Sequence, residues 1–272
     1  MPVQTVNGVG LYYEVHGNGA PVLGIHGSPS SALIWEDAAA RLGRHHRCIV
    51  YDRRGYFRSE RPDPFEAVDL TDHVQDAAAL LDALSAAPAA VIGRSTGGVI
   101  ALELARRHPD QVAALVLLEP AVFTLDPQAA AWAKNLRHTV LSAAAKNPSR
   151  ASEVVFRQAL GDQAWESLPQ QLRDHFAAAG PAVLAEIRGR GLDLSQTPLE
   201  LSEADLAGIR QPTLIITAQD SPEALHAINR RLATLLPDAH TALVPGGHLI
   251  DPAGPAVLDF LQRQLPTKRI PR

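Results

Sequence analysis

The sequence of 272 residues predicts an α/β protein with a mostly parallel central sheet and helices on both of its faces. Two observations lead to this fold class. Short, continuous apolar runs alternate along the chain with stretches of helical spacing, as expected when a parallel sheet is covered on both sides. Polar segments that contain glycine follow several of these runs, and in such sheets these segments meet at the carboxyl ends of the strands.

The individual strands and helices are predicted from apolar runs and from helical spacing. Residues 11–15 alternate weakly and end in the turn-rich His16-Gly17-Asn18-Gly19, which suggests a hairpin. The other predicted strands are 22–25, 48–51, 89–92, 112–118, 213–217 and 241–244. The predicted helices of the same regions are 70–84, with Thr71 or Asp72 as its cap, 99–107, 222–236 and 256–265.

The middle of the chain has a different character. Between residues 123 and 206 the strand-like runs disappear, and stretches rich in Ala, Gln and Arg show helical spacing, as at 129–144 and 152–160. We expect this segment to form a helical cap that is inserted into an α/β core made of residues 1–122 and 207–272.

The strongest chemical signal is the segment Gly93-Arg94-Ser95-Thr96-Gly97-Gly98, which lies between a predicted strand and a predicted helix and matches G-x-S-x-G. A sharp strand-to-helix turn holds the serine in a strained conformation and exposes its hydroxyl, while glycines let the neighbouring backbones approach closely. The helix that follows brings free N–H groups to the same place. Ser95 is therefore the candidate nucleophile, and a Gly/Ser turn without chemistry is the alternative.

A second segment, His26-Gly27-Ser28-Pro29, follows an earlier predicted strand. An oxyanion hole needs two backbone N–H groups that point at the developing negative charge. We expect Thr96, the residue after the nucleophile, to supply one of them and Ser28 to supply the other. His26 is interpreted as a residue that braces this loop.

A third segment, Val244-Pro245-Gly246-Gly247-His248, follows the last predicted strand. A serine hydroxyl is weakly nucleophilic until a base accepts its proton, and imidazole suits that task near neutral pH. His248 lies in a glycine-containing loop from which it can reach the carboxyl ends of the strands. It is the candidate general base for Ser95.

Together these motifs resemble the α/β-hydrolase fold superfamily over essentially the whole chain, and in particular its serine esterases and lactonases. The carrying motifs are His26-Gly27-Ser28-Pro29, Tyr51-Asp52-Arg53-Arg54-Gly55, the turn around Ser95 and Pro245-Gly246-Gly247-His248. The resemblance implies a catalytic triad in the order nucleophile, acid and histidine. Tyr51-Asp52-Arg53-Arg54-Gly55 is interpreted as a scaffold turn.

The acid of the implied triad has two candidates. Many members of the family carry an Asp in a Gly-x-x-Asp arrangement after the seventh strand, whereas this chain has Ala218-Gln219-Asp220-Ser221, with the carboxylate one residue early. A second subset carries a Glu after the strand that follows the nucleophile, where this chain has Leu117-Leu118-Glu119-Pro120. Either carboxylate could orient His248 through its other ring nitrogen. We favour Glu119, with Asp220 as the alternative acid.

These residues predict a serine hydrolase that cleaves an ester or lactone through an acyl-Ser95 intermediate. A cofactor-free haloperoxidase or perhydrolase, or a carbon–carbon bond hydrolase, would use the same triad. Epoxide hydrolases and haloalkane dehalogenases use an Asp nucleophile where this chain has Ser95, which argues against both. A catalytically silent ligand-binding homologue is the alternative outside enzymes, because a fold alone does not establish activity.

The charge of the chain and the apolar residues of the expected cap indicate which partners to expect. Residues expected to line an apolar pocket are Phe123, Leu125, Trp132, Leu136 and Trp165 of the cap, with Trp35 from the loop after the first buried strand. We therefore expect a moderately apolar small-molecule substrate. Because the net charge is −4 without a basic block, nucleic acid is not an expected partner.

Neither a cofactor nor a metal ion is expected, because no cluster of His, Asp and Glu has the spacing of metal ligands. No apolar run approaches the ~20 residues that span a bilayer, and the first residues do not resemble a signal peptide. We therefore expect a cytoplasmic location without membrane association. The sequence contains no firm signal for an oligomeric state.

Overall fold

The computed structural model describes residues 2–265. Within this range the strands are β1 (Val3–Val6), β2 (Val9–His16), β3 (Pro21–Ile25), β4 (Arg47–Tyr51), β5 (Ala89–Arg94), β6 (Val112–Leu118), β7 (Thr213–Ala218) and β8 (Ala239–Val244). They form one sheet in the order β1-β2-β4-β3-β5-β6-β7-β8. The pairs from β4 onward are parallel, and β2 is antiparallel to both of its neighbours. The mostly parallel sheet is confirmed.

The first hairpin differs from the expectation. β1 and β2 pair through a turn at Asn7 and Gly8, which both have positive φ, of 46° and 74°. Positive φ at two successive turn residues suits the tight hairpins that Asn-Gly favours. The turn-rich residues 16–19 close no hairpin, because β4 lies between β2 and β3 in the sheet. The interpretation of these residues as a hairpin turn was therefore wrong.

Helices cover both faces of the sheet. Within the described residues they are α1 (Glu36–Leu42), α2 (Leu70–Ala83), α3 (Thr96–Arg107), α4 (Pro127–Ala144), α5 (Arg150–Leu160), α6 (Asp162–Ser167), α7 (Gln170–Ala178), α8 (Gly180–Arg188), α9 (Glu203–Gly208), α10 (Glu223–Leu235) and α11 (Pro255–Gln264). Successive strand residues point to opposite faces. Val91 packs in the cluster that includes α2, α3 and α10, whereas Ile92 packs in the cluster that includes α1 and α11.

The start of α2 explains how one of these helices is positioned. Its N-cap is Asp69, and the side chain of Asp72 accepts a hydrogen bond from the Asp69 N–H at 3.0 Å. This reciprocal arrangement is a capping box, which satisfies N–H groups that the first helical turn leaves without partners. The N-cap is thus Asp69 rather than Thr71 or Asp72, and Asp72 supports it from inside the helix.

Within the described residues, six α-helices, α4 to α9, follow one another between β6 and β7. The segment also contains an isolated parallel bridge between Gly191 and Pro198. We interpret residues 123–206 as a cap over the core. Among the described residues, no helix combines the length and the apolar character that crossing a membrane requires.

Candidate active site

Ser95 lies at a sharp turn between β5 and α3, with φ 53° and ψ −121°. Few non-glycine residues adopt positive φ, and such strain persists where the surrounding structure enforces it. A Cβ atom at Gly93 would lie 2.3 Å from the Gly97 carbonyl oxygen, and one at Gly97 would lie 2.2 Å from the carbonyl oxygen of Ile25. Glycine is therefore required on both sides of Ser95, which is why the G-x-S-x-G pattern forms this turn.

The loop that contains His26 lies directly against this turn. A Cβ at Gly27 would lie 2.9 Å from the Arg94 carbonyl oxygen and 3.1 Å from the Ser95 Cβ. The loop therefore brings the backbone of Ser28 next to the turn. Within residues 2–265, neither the Ser28 N–H nor the Thr96 N–H donates to a backbone carbonyl. Both groups are thus available to bind an oxyanion.

His26 holds this loop in position. Its Nδ1 donates to the Gly27 carbonyl at 2.8 Å, and its Nε2 accepts from the Arg53 backbone N–H at 3.0 Å. Burial and the Arg53 guanidinium hold the pKa of His26 well below its usual value, so the ring stays neutral. Both ring nitrogens are engaged by backbone groups, in agreement with a bracing role.

His248 forms a buried pair with Glu119. The His248 Nδ1 donates to the Glu119 Oε2 at 2.6 Å, and the Glu119 side chain is fully buried. Glu119 also accepts from the Ala218 N–H at 2.8 Å and from the Ser221 hydroxyl at 2.8 Å. The Glu119 carboxyl thus accepts three hydrogen bonds, which fix its orientation towards His248.

The alternative acid, Asp220, lies elsewhere. Its side chain is exposed, and its backbone N–H donates to the Gly246 carbonyl at 2.9 Å. Ser221 occupies the position that corresponds to the Asp of the Gly-x-x-Asp arrangement, and its hydroxyl donates to Glu119. The structure therefore brings Glu119, and not Asp220, to His248.

Ser95 and His248 line the same cavity. Because the His248 Nδ1 is engaged by Glu119, its Nε2 is the nitrogen left to accept a proton. The lining is Gly27, Ser28, Pro29, Ser30, Arg94, Ser95, Phe123, Trp132, Leu136, Val155, Phe156, Ala159, Leu160, Phe176, Asp193, Leu194, Leu225, His248 and Leu249. Most of these side chains are apolar, and most of the apolar ones come from the cap.

Of the six residues expected to line a pocket, Phe123, Trp132 and Leu136 line this cavity, whereas Leu125, Trp165 and Trp35 do not. The rings of Phe123 and Trp132 lie side by side, with centroids 5.3 Å apart. Trp35 is 1% exposed, packs in the core with α1 and α11, and is not among the lining residues. The structure thus places Trp35 in the core, which corrects the expectation that its side chain lines the pocket. Its indole fills the space above Gly24, where a Cβ would lie 2.7 Å from the ring.

A buried polar network beneath the cavity connects the cap with the core. Glu186 of α8 pairs with the Arg53 guanidinium and contacts the His73 Nε2 at 3.0 Å. Its other oxygen accepts from the Ser28 hydroxyl at 2.6 Å and from the Tyr56 hydroxyl at 2.8 Å. Burial opposes ionisation of Glu186, but Arg53 and His73 hold its pKa well below the usual range. The predicted scaffold turn thus supplies, through Arg53, the cation of this network.

Asp193 is a second cap carboxyl and lies in the cavity itself. The Thr96 hydroxyl donates to the Asp193 Oδ2 at 3.1 Å. Burial, together with the charge of Glu186, raises the pKa of Asp193 to about 7. The sequence did not single out Asp193, Glu186 or Arg53 as site residues, because no local motif marks a carboxyl or guanidinium that the cap covers.

The described residues contain no candidate metal site. No set of three or more His, Cys, Asp or Glu side chains within residues 2–265 could hold a metal ion.

Comparison with known proteins identifies the family of the chain. The family model of the α/β hydrolase fold matches residues 20–251. A putative carbamate hydrolase RutD of Variovorax paradoxus is 31% identical over 277 residues, covering 93% of this chain and 96% of its own. Other relatives match over a shorter stretch, for example over 44% of their own length at 36% identity.

Solved structures resemble the chain over nearly its full length. A thermophilic esterase from Thermogutta terrifontis has a TM-score of 0.75 at 23% identity, covering 97% of both chains. Est816, described as an N-acyl homoserine lactone degrading enzyme, has a TM-score of 0.73 at 24% identity, covering 96% of this chain and 99% of its own. At this level of identity the likeness shows the fold.

The fold, the strained serine turn and the family match together define an α/β hydrolase. The chain belongs to the α/β-hydrolase fold family, and it is a hydrolase of that family.

Proposed function

We propose that the protein is a serine hydrolase that cleaves an ester or lactone bond of a moderately apolar small molecule through an acyl-Ser95 intermediate. The observation that carries the proposal is the pairing of His248 with buried Glu119 at the cavity that Ser95 also lines. A nucleophile, a base and a group that orients the base are the minimum that acyl transfer requires.

The first half of the reaction forms the acyl-enzyme. The Ser95 Oγ attacks the substrate carbonyl carbon while its proton passes to the His248 Nε2. The carbonyl oxygen becomes an oxyanion, which accepts hydrogen bonds from the backbone N–H groups of Ser28 and Thr96. The carbon–oxygen bond to the leaving alcohol then breaks, and the alcohol oxygen takes the proton from His248.

The second half returns the enzyme to its starting state. A water molecule gives a proton to the His248 Nε2 and attacks the acyl carbon, and the same N–H groups bind the second oxyanion. The bond to the Ser95 Oγ breaks, and the serine regains its proton from His248. In both halves the Glu119 carboxylate holds the Nδ1–H tautomer and stabilises the imidazolium that forms.

The nature of the cavity supports the choice of substrate. Apolar side chains such as Phe123, Trp132 and Phe156 surround the nucleophile and favour an apolar acyl or alcohol group. Relatives of similar fold bear the names esterase and lactone-degrading enzyme, which suits an ester or lactone. The cap covers the site from above, so we expect a small molecule rather than a polymer.

The test is labelling with a fluorophosphonate, read by intact mass. This reagent reacts with an activated serine, so the wild-type protein should gain one label per chain. Ser95→Ala should gain none. Ser30→Ala, which alters a second serine of the same cavity, is the matched control and should be labelled like wild type.

Unlabelled wild type should hydrolyse short-chain esters or lactones, and labelling should abolish this activity. Absence of label on a folded wild-type chain would contradict the proposal and favour a silent ligand-binding protein. Labelling without any ester or lactone turnover would favour a haloperoxidase, perhydrolase or carbon–carbon bond hydrolase on the same residues.

A further inference from the structure

Asp193 is a polar group in a largely apolar cavity, and the proposed triad does not use it. It belongs to the cap segment after α8, and its Oδ2 accepts a hydrogen bond from the Thr96 hydroxyl at 3.1 Å. Thr96 is the residue whose backbone N–H faces the proposed oxyanion. The carboxyl of Asp193 is therefore close to the place that the substrate carbonyl would occupy.

The position of Asp193 restricts what can bind there. The Thr96 hydroxyl and the backbone N–H of Asp193 itself engage the carboxyl, while a carboxylate has about four acceptor sites. A substrate that places only CH groups beside Asp193 removes water from the remaining sites without replacing the lost hydrogen bonds. A substrate that carries a hydroxyl or amide N–H at that place replaces them. A buried polar group therefore discriminates strongly between a substrate that satisfies its hydrogen bonds and one that leaves it without a partner.

We infer that Asp193 is a specificity-determining residue, which selects esters or lactones that carry a hydroxyl or amide N–H on the carbon next to the scissile carbonyl. This inference rests on the proposed serine hydrolase function. The apolar lining, with Phe123, Trp132 and Phe156, would then hold the remainder of the same molecule.

The ionisation of Asp193 predicts a pH dependence of substrate preference that distinguishes this role from a structural one. Burial, and then the charge of Glu186, raises its pKa to about 7. Above that pH the group is an anion, which accepts a stronger hydrogen bond than the neutral acid and also repels a nearby oxyanion. Preference for the donor-bearing substrate should therefore increase as the pH rises through about 7. The charged or titratable groups that face Asp193 or share its cavities are Arg53, Arg94, Lys134, Arg137, Glu186 and His248.

The experiment compares an α-hydroxy phenyl ester with the α-methoxy ester of the same chain length. The two substrates share the same bonds at the reacting carbon, but only the first has a donor. For wild type we expect kcat/KM to favour the hydroxy ester by about tenfold or more. The ratio of the two kcat/KM values cancels changes in Ser95 and His248 that affect both esters equally.

Two variants remove the acceptor in steps. Asp193→Leu should bring the ratio to within about twofold of unity, because leucine accepts no hydrogen bond. Asp193→Asn keeps an acceptor without the charge, so its ratio should be intermediate and independent of pH. If the leucine substitution prevents folding, the asparagine variant and its pH profile still decide the question.

Thr96→Val is the control for a merely structural role, because it removes the side-chain bond to Asp193 and keeps the Thr96 N–H. Under the inference this variant retains the preference for the hydroxy ester. A loss equal to that of Asp193→Leu would mean that Asp193 serves to position Thr96, and would overturn the inference.

The remaining outcomes separate this inference from the proposed function. If wild type hydrolyses both esters without preference, or if the variants keep the preference, the inference fails and the serine hydrolase proposal stands. If wild type is neither labelled by fluorophosphonate nor active on any ester, the proposed function fails, and the inference falls with it.

Discussion

The Nδ1 of His248 lies 2.6 Å from the Oε2 of Glu119, although the two residues are 129 positions apart. β6 and β7 are neighbours in the sheet, and Glu119 follows the first while the loop of His248 follows β8, the next strand along. Ser221, at the end of β7, donates to the same carboxylate. Residues at or after the carboxyl ends of three adjacent strands thus meet at one carboxylate, as expected for a parallel sheet.

Replacement of the two candidate acids should have unequal effects. Glu119→Gln keeps the shape but loses the charge that orients His248, so kcat for an ester should fall by about a thousandfold or more. Asp220→Asn should leave kcat within about twofold of wild type, because the Asp220 side chain is exposed. Steady-state kinetics and the rate of fluorophosphonate labelling measure both. A larger loss for Asp220→Asn would assign the acid to Asp220.

The glycines of the serine turn should tolerate no side chain. In Gly97→Ala the new Cβ would lie 2.2 Å from the Ile25 carbonyl oxygen, a backbone atom that cannot rotate away. We expect the free energy of unfolding to fall by about 2 kcal/mol or more. Gly208→Ala is the control, since a Cβ there meets nothing within 4 Å. Urea denaturation compares the two, and equal stability would argue against the close approach of β3 to the turn.

The apolar lining should set the chain length that the cavity accepts. Leu136→Trp adds bulk inside the cavity, so KM for a hexanoate ester should increase by about tenfold while that for an acetate ester changes little. Ala131→Trp adds the same side chain on the exposed side of the same helix and should change neither. A similar increase for both esters in Leu136→Trp would indicate a general distortion instead.

The network around Glu186 should make stability depend on pH. Burial opposes its charge, but Arg53 and His73 lower the pKa of Glu186 in the folded state below its ordinary value of 4.5. The group therefore stabilises the fold above that ordinary pKa and loses this contribution as the pH falls. Glu186→Gln leaves the buried guanidinium of Arg53 without its anion and should cost about 3 kcal/mol at pH 7.

This cost should stay constant from pH 7 down to about pH 4.5 and shrink below it, because the carboxyl of the unfolded chain then binds a proton more readily than that of the folded chain. Urea denaturation at several pH values measures the difference. Glu66→Gln, at an exposed glutamate, is the control and should show little change at any pH. A difference that stays constant with pH would mean that the glutamine acts through shape rather than charge.

The sequence predicts those features that are encoded locally. Ser95 lies in a turn whose glycines are adjacent in the chain, and His248 follows a strand directly, so short motifs suffice to find both. Strand-end placement favoured Glu119 over Asp220 as the acid, and the structure places Glu119 in contact with His248. The same reasoning could not decide the partner of β2, because the order of strands in a sheet depends on contacts far apart in sequence.

One physical reason explains why the sequence did not single out Glu186 and Asp193. Glu186 contacts Arg53 across 133 positions, and Asp193 contacts Thr96 across 97 positions. Both contacts exist because the cap closes over the core, and no periodicity in either segment reports that closure. Trp35 was misplaced for the converse reason. Its neighbours in sequence belong to the site, whereas its indole turns into the core above Gly24.

The ion pair between Arg53 and Glu186 has a consequence for recombination of this fold. Arg53 belongs to the core and Glu186 to the cap, and the guanidinium is fully buried. A chimaera that received the cap of a relative without an acid at this place would enclose a cation with no counter-ion. A cap can thus be exchanged, in evolution or in the laboratory, only for one that has an acidic residue at the position of Glu186. Core and cap are therefore expected to be inherited together.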